Sequence, residues 1–207
     1  MASMIELIKE LRERTGAGMM DCKKALEESD CDINKAVDWL RGRGIAKAQA
    51  KASRIAAEGL ALVKVYGDKA CIGEVNCETD FVAKGDRFHQ LISDTIDQTV
   101  AINACCIDKA REALAGLYAD ATVAMGEKLS YRRFEIVEKT SSQGFGAYMH
   151  MGGKIAVLVV LDKADPEIEK GLAMHIAANN PLYISINDIP AETLAHEKTI
   201  QLELMAK

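Results

Sequence analysis

The residues best suited to chemistry in this chain are its histidines and cysteines. The histidines are His89, His150, His175 and His196, and the cysteines are Cys22, Cys31, Cys71, Cys77, Cys105 and Cys106. Their spacing contains no HxxxH, HExxH or CxxC pattern, the arrangements typical of metal sites. A thiol enzyme built on Cys77 and His150 would need the two within hydrogen-bonding reach, and no sequence pattern brings them together. The glycines near residue 150 do not form a GxxxxGK[ST] phosphate loop. The sequence therefore predicts no catalytic, metal or cofactor site.

A second candidate is the segment 74–84 (EVNCETDFVAK), in which the pattern changes from strand to helix. Thr79 and Asp80 are residue types that begin helices, because their side-chain oxygens accept hydrogen bonds from free N–H groups. Phe81 is therefore expected in the first turn of a helix that continues to Ile102. Two interpretations stay open at this point. The ring folds back onto its own core as a staple, or it projects toward a partner as an anchor.

The pair Met19-Met20 follows two closely spaced glycines and begins a predicted helix. Adjacent positions on a helix point about 100° apart, so both side chains can hardly be buried. At least one is expected to be exposed, and an exposed methionine offers an adaptable contact surface.

Composition restricts the class of protein. The chain has 207 residues, 49% of them hydrophobic, and a net charge of −5. This charge creates no overall basic field for nucleic acid, and no apolar run approaches the length of a membrane span. Charged residues interrupt the first dozen positions, unlike a signal peptide. A cytosolic protein with reduced thiols is expected, with Cys71 and Cys77 on the core face of one strand.

The fold is predicted to be α+β. Residues 1–45 form three amphipathic helices, similar to the compact fold of ubiquitin-associated domains, with Gly42 and Gly44 ending the third. Residues 46–58 are expected to be a linker helix with one basic face. The rest is interpreted as a duplicated unit of antiparallel hairpin plus helix, in core halves 59–140 and 141–207.

The second core half carries three further expectations. The apolar run 155–161 predicts a central strand covered on both faces. The helix that begins near Asp165 places His175 on an apolar stripe, where a buried histidine is expected. Residues 183–186 are predicted to form a short strand, and an amphipathic helix follows from residue 191.

Two segments carry a resemblance to a known family. Residues 11–26 (LRERTGAGMMDCKKAL) resemble the N-terminal signature of the bacterial elongation factor Ts family, and residues 74–84 resemble its second signature. The resemblance extends over the whole chain. It implies a guanine nucleotide exchange factor that binds elongation factor Tu in its GDP-bound and nucleotide-free forms. It implies no bond-making chemistry, no cofactor, no substrate of its own and no direct contact with nucleic acid or membrane.

The resemblance also implies the residues that act on the partner. Thr79, Asp80, Phe81 and Val82 would form the tip that disturbs the Mg²⁺ site of Tu, while Arg12, Met19, Met20 and His150 would bind other parts of it. Longer family members continue into an antiparallel coiled coil, and without it the second core half is expected to lack a strand. An alternative function is a non-catalytic adaptor or chaperone-like protein that binds through the N-terminal bundle.

Overall fold

The computed structural model describes residues 3–206 and confirms the α+β class. Residues 1–2, at the start of the predicted N-terminal bundle, lie outside the described residues, and so does residue 207, at the end of the predicted second core half. The α-helices are α1 (Met4–Thr15), α2 (Met19–Glu28), α3 (Ile33–Ala50), α4 (Asp80–Ala83), α5 (Asp86–Ala101), α6 (Ile107–Ala113), α7 (Ala115–Met125), α8 (Pro166–Asn179) and α9 (Ala191–Met205). The strands are β1 (Glu58–Tyr66), β2 (Lys69–Cys77), β3 (Ser130–Glu138), β4 (Gly144–His150) and β5 (Ile155–Leu161).

Helices α1 to α3 form the expected three-helix bundle. Ser3 and Glu6 make a capping box that starts α1, because each side chain satisfies a free backbone N–H of the first turn. Gly16 ends α1 with φ of 68°, a left-handed conformation that favours glycine. Leu11, Leu26 and Leu40 meet in a core almost without solvent exposure.

The prediction that Gly42 and Gly44 end the third helix is wrong. Helix α3 continues to Ala50, so only residues 46–50 of the predicted linker are helical, and turns and irregular backbone follow until β1 begins at Glu58. A glycine inside a helix costs only about 1 kcal/mol relative to alanine, and tertiary packing offsets this amount. Gly44 provides that packing, since it lies against the backbone of Ala119 in α7.

Three antiparallel strands in the order β1-β2-β3 form the main sheet. Helix α5 packs on one face of this sheet, where Phe88 and Val75 are fully buried and Tyr131 is almost so. Cys71 and Cys77 of β2 are buried as predicted. The predicted helix from Phe81 to Ile102 is two helices, because Gly85 adopts an extended conformation between α4 and α5.

The second core half is a β4–β5 hairpin packed against α8, which confirms that a hairpin followed by a helix occurs twice. Strand β5 is not central as predicted, because within residues 3–206 it pairs only with β4. It contacts α8, β1 and β2, and most of its residues are half-buried. The predicted strand at 183–186 is also wrong, since these residues form bends and a short 3₁₀ turn with no strand partner in the described part of the chain.

His175 is exposed rather than buried, and its backbone carbonyl accepts a hydrogen bond from the side-chain amide of Asn179. Across the described residues, each helix is either too short or too polar to span a bilayer.

Candidate functional site

The chain segment between β2 and α5 carries an exposed aromatic residue, Phe81. It lies in the four-residue helix α4, as the sequence predicted, and 85% of its surface is exposed. The interpretation of Phe81 as a staple on its own core is therefore wrong, because a staple buries its ring. Aromatic side chains, phenylalanine among them, are enriched in the buried cores of protein interfaces, so the exposed ring is a candidate anchor.

The backbone beneath Phe81 is anchored on both sides. Thr79 caps α4, with its hydroxyl accepting a hydrogen bond of 3.4 Å from the N–H of Val82. Ala83 is fully buried in the main core, and Val82 packs partly against the same cluster. Since Val82 and Ala83 pack inward, Phe81 projects outward from a fixed support. We call residues 79–82 the tip.

Asp80 begins α4 and forms an ion pair of 2.7 Å with Lys84, one turn later. This hydrogen bond and the charge of Lys84 lower the pKa of Asp80 below its ordinary value. The exposed apolar ring of Phe81 is therefore accompanied by a carboxylate that stays ionised at neutral pH.

Glu127 lies in the segment between α7 and β3 and binds the N-terminal end of the tip. Its carboxylate accepts hydrogen bonds from the backbone N–H of Glu78 at 3.0 Å, the N–H of Thr79 at 3.1 Å and the hydroxyl of Thr79 at 2.6 Å. The Glu78 carboxylate in turn accepts the N–H of Lys128 at 2.6 Å. The sequence did not reveal Glu127, because nearly 50 residues separate it from the groups that it holds.

Met19 and Met20 are both exposed, by 59% and 74%. They occupy the first turn of α2 after Gly18, while the preceding Ala17 is fully buried. Arg12 is also exposed, in the last turn of α1 on the other side of the same turn. The predicted contact residues of the bundle thus all lie at the surface around the α1–α2 turn.

Arg87 connects this turn to the segment that carries the tip. It belongs to the first turn of α5, and its guanidinium donates to the carbonyls of Gly16 at 3.0 Å and Ala124 at 3.4 Å. Arg87 was not singled out from the sequence, since an arginine in an amphipathic helix is usually only solvated. Here it ties the α1–α2 turn, the start of α5 and the end of α7 together.

His150 lies at the end of β4 and is exposed, with the hydroxyl of Tyr148 3.2 Å from its Nδ1 atom. Exposed Met149 and Met151 adjoin it in the chain. The hairpin end is fixed to β1, because Lys154 forms a 2.7 Å ion pair with Glu58. His150 thus belongs to a third exposed surface, which contains methionines like the α1–α2 turn.

No group of three or more histidine, cysteine or acidic side chains within residues 3–206 is arranged to hold a metal ion. The predicted site residues belong to three surface regions: the tip, the α1–α2 turn and the β4 end.

Comparison with known proteins identifies the family of the chain. Residues 78–207 match the family model described as "Elongation factor TS". The chain is also 48% identical over 202 residues to an elongation factor Ts of Lactiplantibacillus plantarum, which covers 93% of this chain and 68% of that protein. The chain belongs to the elongation factor Ts family. A second elongation factor Ts, from Pediococcus pentosaceus, is 48% identical over 201 residues, covering 94% of this chain and 69% of that protein.

Membership in the elongation factor Ts family makes this chain a translation elongation factor. The resemblance found in residues 11–26 and 74–84 is thereby confirmed at the level of the family. Residues 11–26 contain the α1–α2 turn, and residues 74–84 contain the tip.

Proposed function

We propose that this chain is a guanine nucleotide exchange factor that binds elongation factor Tu in its GDP-bound form and promotes release of the GDP. The observation that supports this most strongly is Phe81, 85% exposed on a tip anchored by its neighbours. The proposal includes no bond-making step. Exchange follows if the chain binds Tu more tightly when the nucleotide is absent. The chain then weakens the binding of GDP to Tu by the same factor by which GDP weakens the binding of the chain.

The free energy gained by burying Phe81 in the partner is sufficient to weaken GDP binding severalfold or more. Burying a phenylalanine ring contributes about 1.5–3 kcal/mol, and each 1.4 kcal/mol of differential binding is a tenfold change in affinity. The ring would insert between helices of the GTPase domain near its Mg²⁺ site, so that its burial offsets the strain of moving those helices.

Asp80 would act beside Phe81. Its ionised carboxylate would enter the neighbourhood of the Mg²⁺ ligands and compete for the hydrogen bonds that position them. Mg²⁺ is a large local charge that stabilises bound phosphates, so a weakened Mg²⁺ site releases GDP faster. Thr79 and Val82 would hold the tip in position.

The other two surfaces would dock the partner without acting on the nucleotide. Met19 and Met20 are flexible apolar side chains suited to a protein contact, and Arg12 adds a charged group at the edge of the same turn. His150 and the methionines around it would contact a further part of Tu. We expect the protein to work in the cytoplasm, where translation takes place.

Stopped-flow measurement tests the proposal. Elongation factor Tu loaded with a fluorescent GDP is mixed with excess unlabelled GDP, with and without this chain. The proposal predicts faster release that rises with the concentration of the chain and then saturates. An unchanged release rate at concentrations where the chain demonstrably binds Tu would contradict it.

A further inference from the structure

The tip is too small to hold its own shape. Helix α4 has only four residues, far below the ~12 residues at which an isolated helix becomes marginally stable. Ala83 is buried, but Thr79 is exposed and Phe81 contributes almost no contact to the protein. Ala83 and Val82 anchor the C-terminal end of α4, so the direction in which Phe81 projects also depends on what holds the N-terminal end at Thr79.

Glu127 is placed to do this. Its carboxylate accepts two backbone N–H groups and one hydroxyl from residues 78 and 79, at 3.0, 3.1 and 2.6 Å. A hydroxyl has a single proton. Thr79 donates that proton to Glu127, and a lone pair of the same oxygen accepts the N–H of Val82. Glu127 therefore holds the Thr79 hydroxyl in the orientation from which it caps α4.

The segment that carries Glu127 is itself braced. Gly126 ends α7 with φ of 73°, and the carbonyl of Gly126 accepts a hydrogen bond from Lys51. The side chain of Lys128 donates to the carbonyls of Ala52 at 2.6 Å and Arg54 at 2.7 Å. Glu127 thus transfers the rigidity of this segment to the tip.

We propose that Glu127 is the positioning residue of the tip: it pre-orders residues 79–82 so that Phe81 meets the partner already in its binding geometry. This rests on the proposed exchange function. A pre-ordered group loses less conformational entropy on binding, so Glu127 acts on the step at which Phe81 inserts rather than on first docking. Glu127 itself need not touch the partner.

The first test uses the free protein and needs no partner. Amide hydrogen exchange is compared between the wild type, Glu127→Ala and Glu112→Ala, the last a control on the exposed surface of α6. Glu127→Ala is expected to speed amide hydrogen exchange across residues 79–84 about tenfold, since the loss of a hydrogen bond to a charged group favours local opening by that factor. The rest of the main sheet and Glu112→Ala should remain like the wild type. Unchanged exchange at the tip would overturn the proposal.

The second test separates positioning from general stability. With Tu and fluorescent GDP, Glu127→Ala is expected to lower the maximal release rate about tenfold and to leave the half-saturating concentration nearly unchanged. In a Phe81→Ala background, Glu127→Ala should have little further effect, because it acts only through Phe81. Additive losses would show a role independent of Phe81 and would overturn the inference. A wild type that accelerates nothing contradicts the proposed function instead, and the hydrogen-exchange result then still decides the role of Glu127.

Discussion

At the scale of single residues, the cysteines divide into two groups by their surroundings. Cys22, Cys71 and Cys77 are buried, and Cys31, Cys105 and Cys106 are exposed. Burial raises the pKa of Cys71 to about 12 and that of Cys77 to about 11, because the thiolate is poorly solvated there. The backbone N–H of Lys109 lowers the pKa of Cys106.

This division predicts which thiols react in the folded protein. Brief treatment with iodoacetamide near pH 8, followed by peptide mass spectrometry, should modify the three exposed cysteines, and among these Cys106 first. The three buried thiols should react more than about tenfold more slowly, since the reactive form is the thiolate. Urea should make all six reactive. Fast labelling of Cys77 without urea would mean that the strand end beneath the tip opens, contrary to the anchoring described above.

For single residues, the sequence predicted backbone position better than burial. The cap residues Thr79 and Asp80 correctly placed Phe81 in the first helical turn, but burial of its ring depended on neighbours that the sequence does not reveal. His175 illustrates the opposite outcome, because its apolar stripe suggested burial and the residue is exposed. Glu127 could not be found, since its role arises from a contact across distant segments.

At the scale of elements, the contact between α3 and α7 joins the N-terminal bundle to the core. Arg41 of α3 forms a two-pronged ion pair with Asp120 of α7, at 3.1 and 2.8 Å. Val123 of α7 completes the buried cluster of the bundle. Gly44 allows the approach, because a Cβ atom there would lie 2.6 Å from the carbonyl oxygen of Ala119.

Two glycines of the same helix provide a matched test. Gly44→Ala should destabilise the protein by about 1–3 kcal/mol, the usual cost of overpacking. Gly42→Ala meets no atom within 4 Å and should stabilise it by up to about 1 kcal/mol, because alanine favours the helix. Urea denaturation measures both changes. A stabilising Gly44→Ala would show that the two helices are not in close contact at this point.

The elements themselves were mostly predictable. Alternation and turn residues located β1 to β5 to within a few residues, and apolar spacing located the helices of the bundle. Element ends were harder, as the continuation of α3 through Gly42 and Gly44 shows, because α7 supplies stabilisation that local propensity cannot indicate. Residues 183–186 (YISI) resemble a strand by composition, but a strand also requires a partner to pair with.

At the scale of the whole molecule, the exposed surfaces rest on connected supports. Arg87 joins the α1–α2 turn to the start of α5, and Glu127 joins the α7–β3 segment to the tip. Lys154 fixes the end of the β4–β5 hairpin to β1. Such a frame suits a protein that docks by some surfaces and acts by another, because binding energy gained at one site can then support strain at the next.

The measurement that tests this account most directly compares Phe81→Ala with the wild type in two assays, fluorescent GDP release from elongation factor Tu and thermal unfolding. Leu182→Ala is the control. Leu182 is 82% exposed, and its substitution likewise truncates a large apolar side chain. The account predicts that Phe81→Ala slows the stimulated release about tenfold to a hundredfold with nearly unchanged melting, and that Leu182→Ala changes neither. Full stimulation by Phe81→Ala, or a loss explained by a large drop in melting temperature, would contradict the central claim.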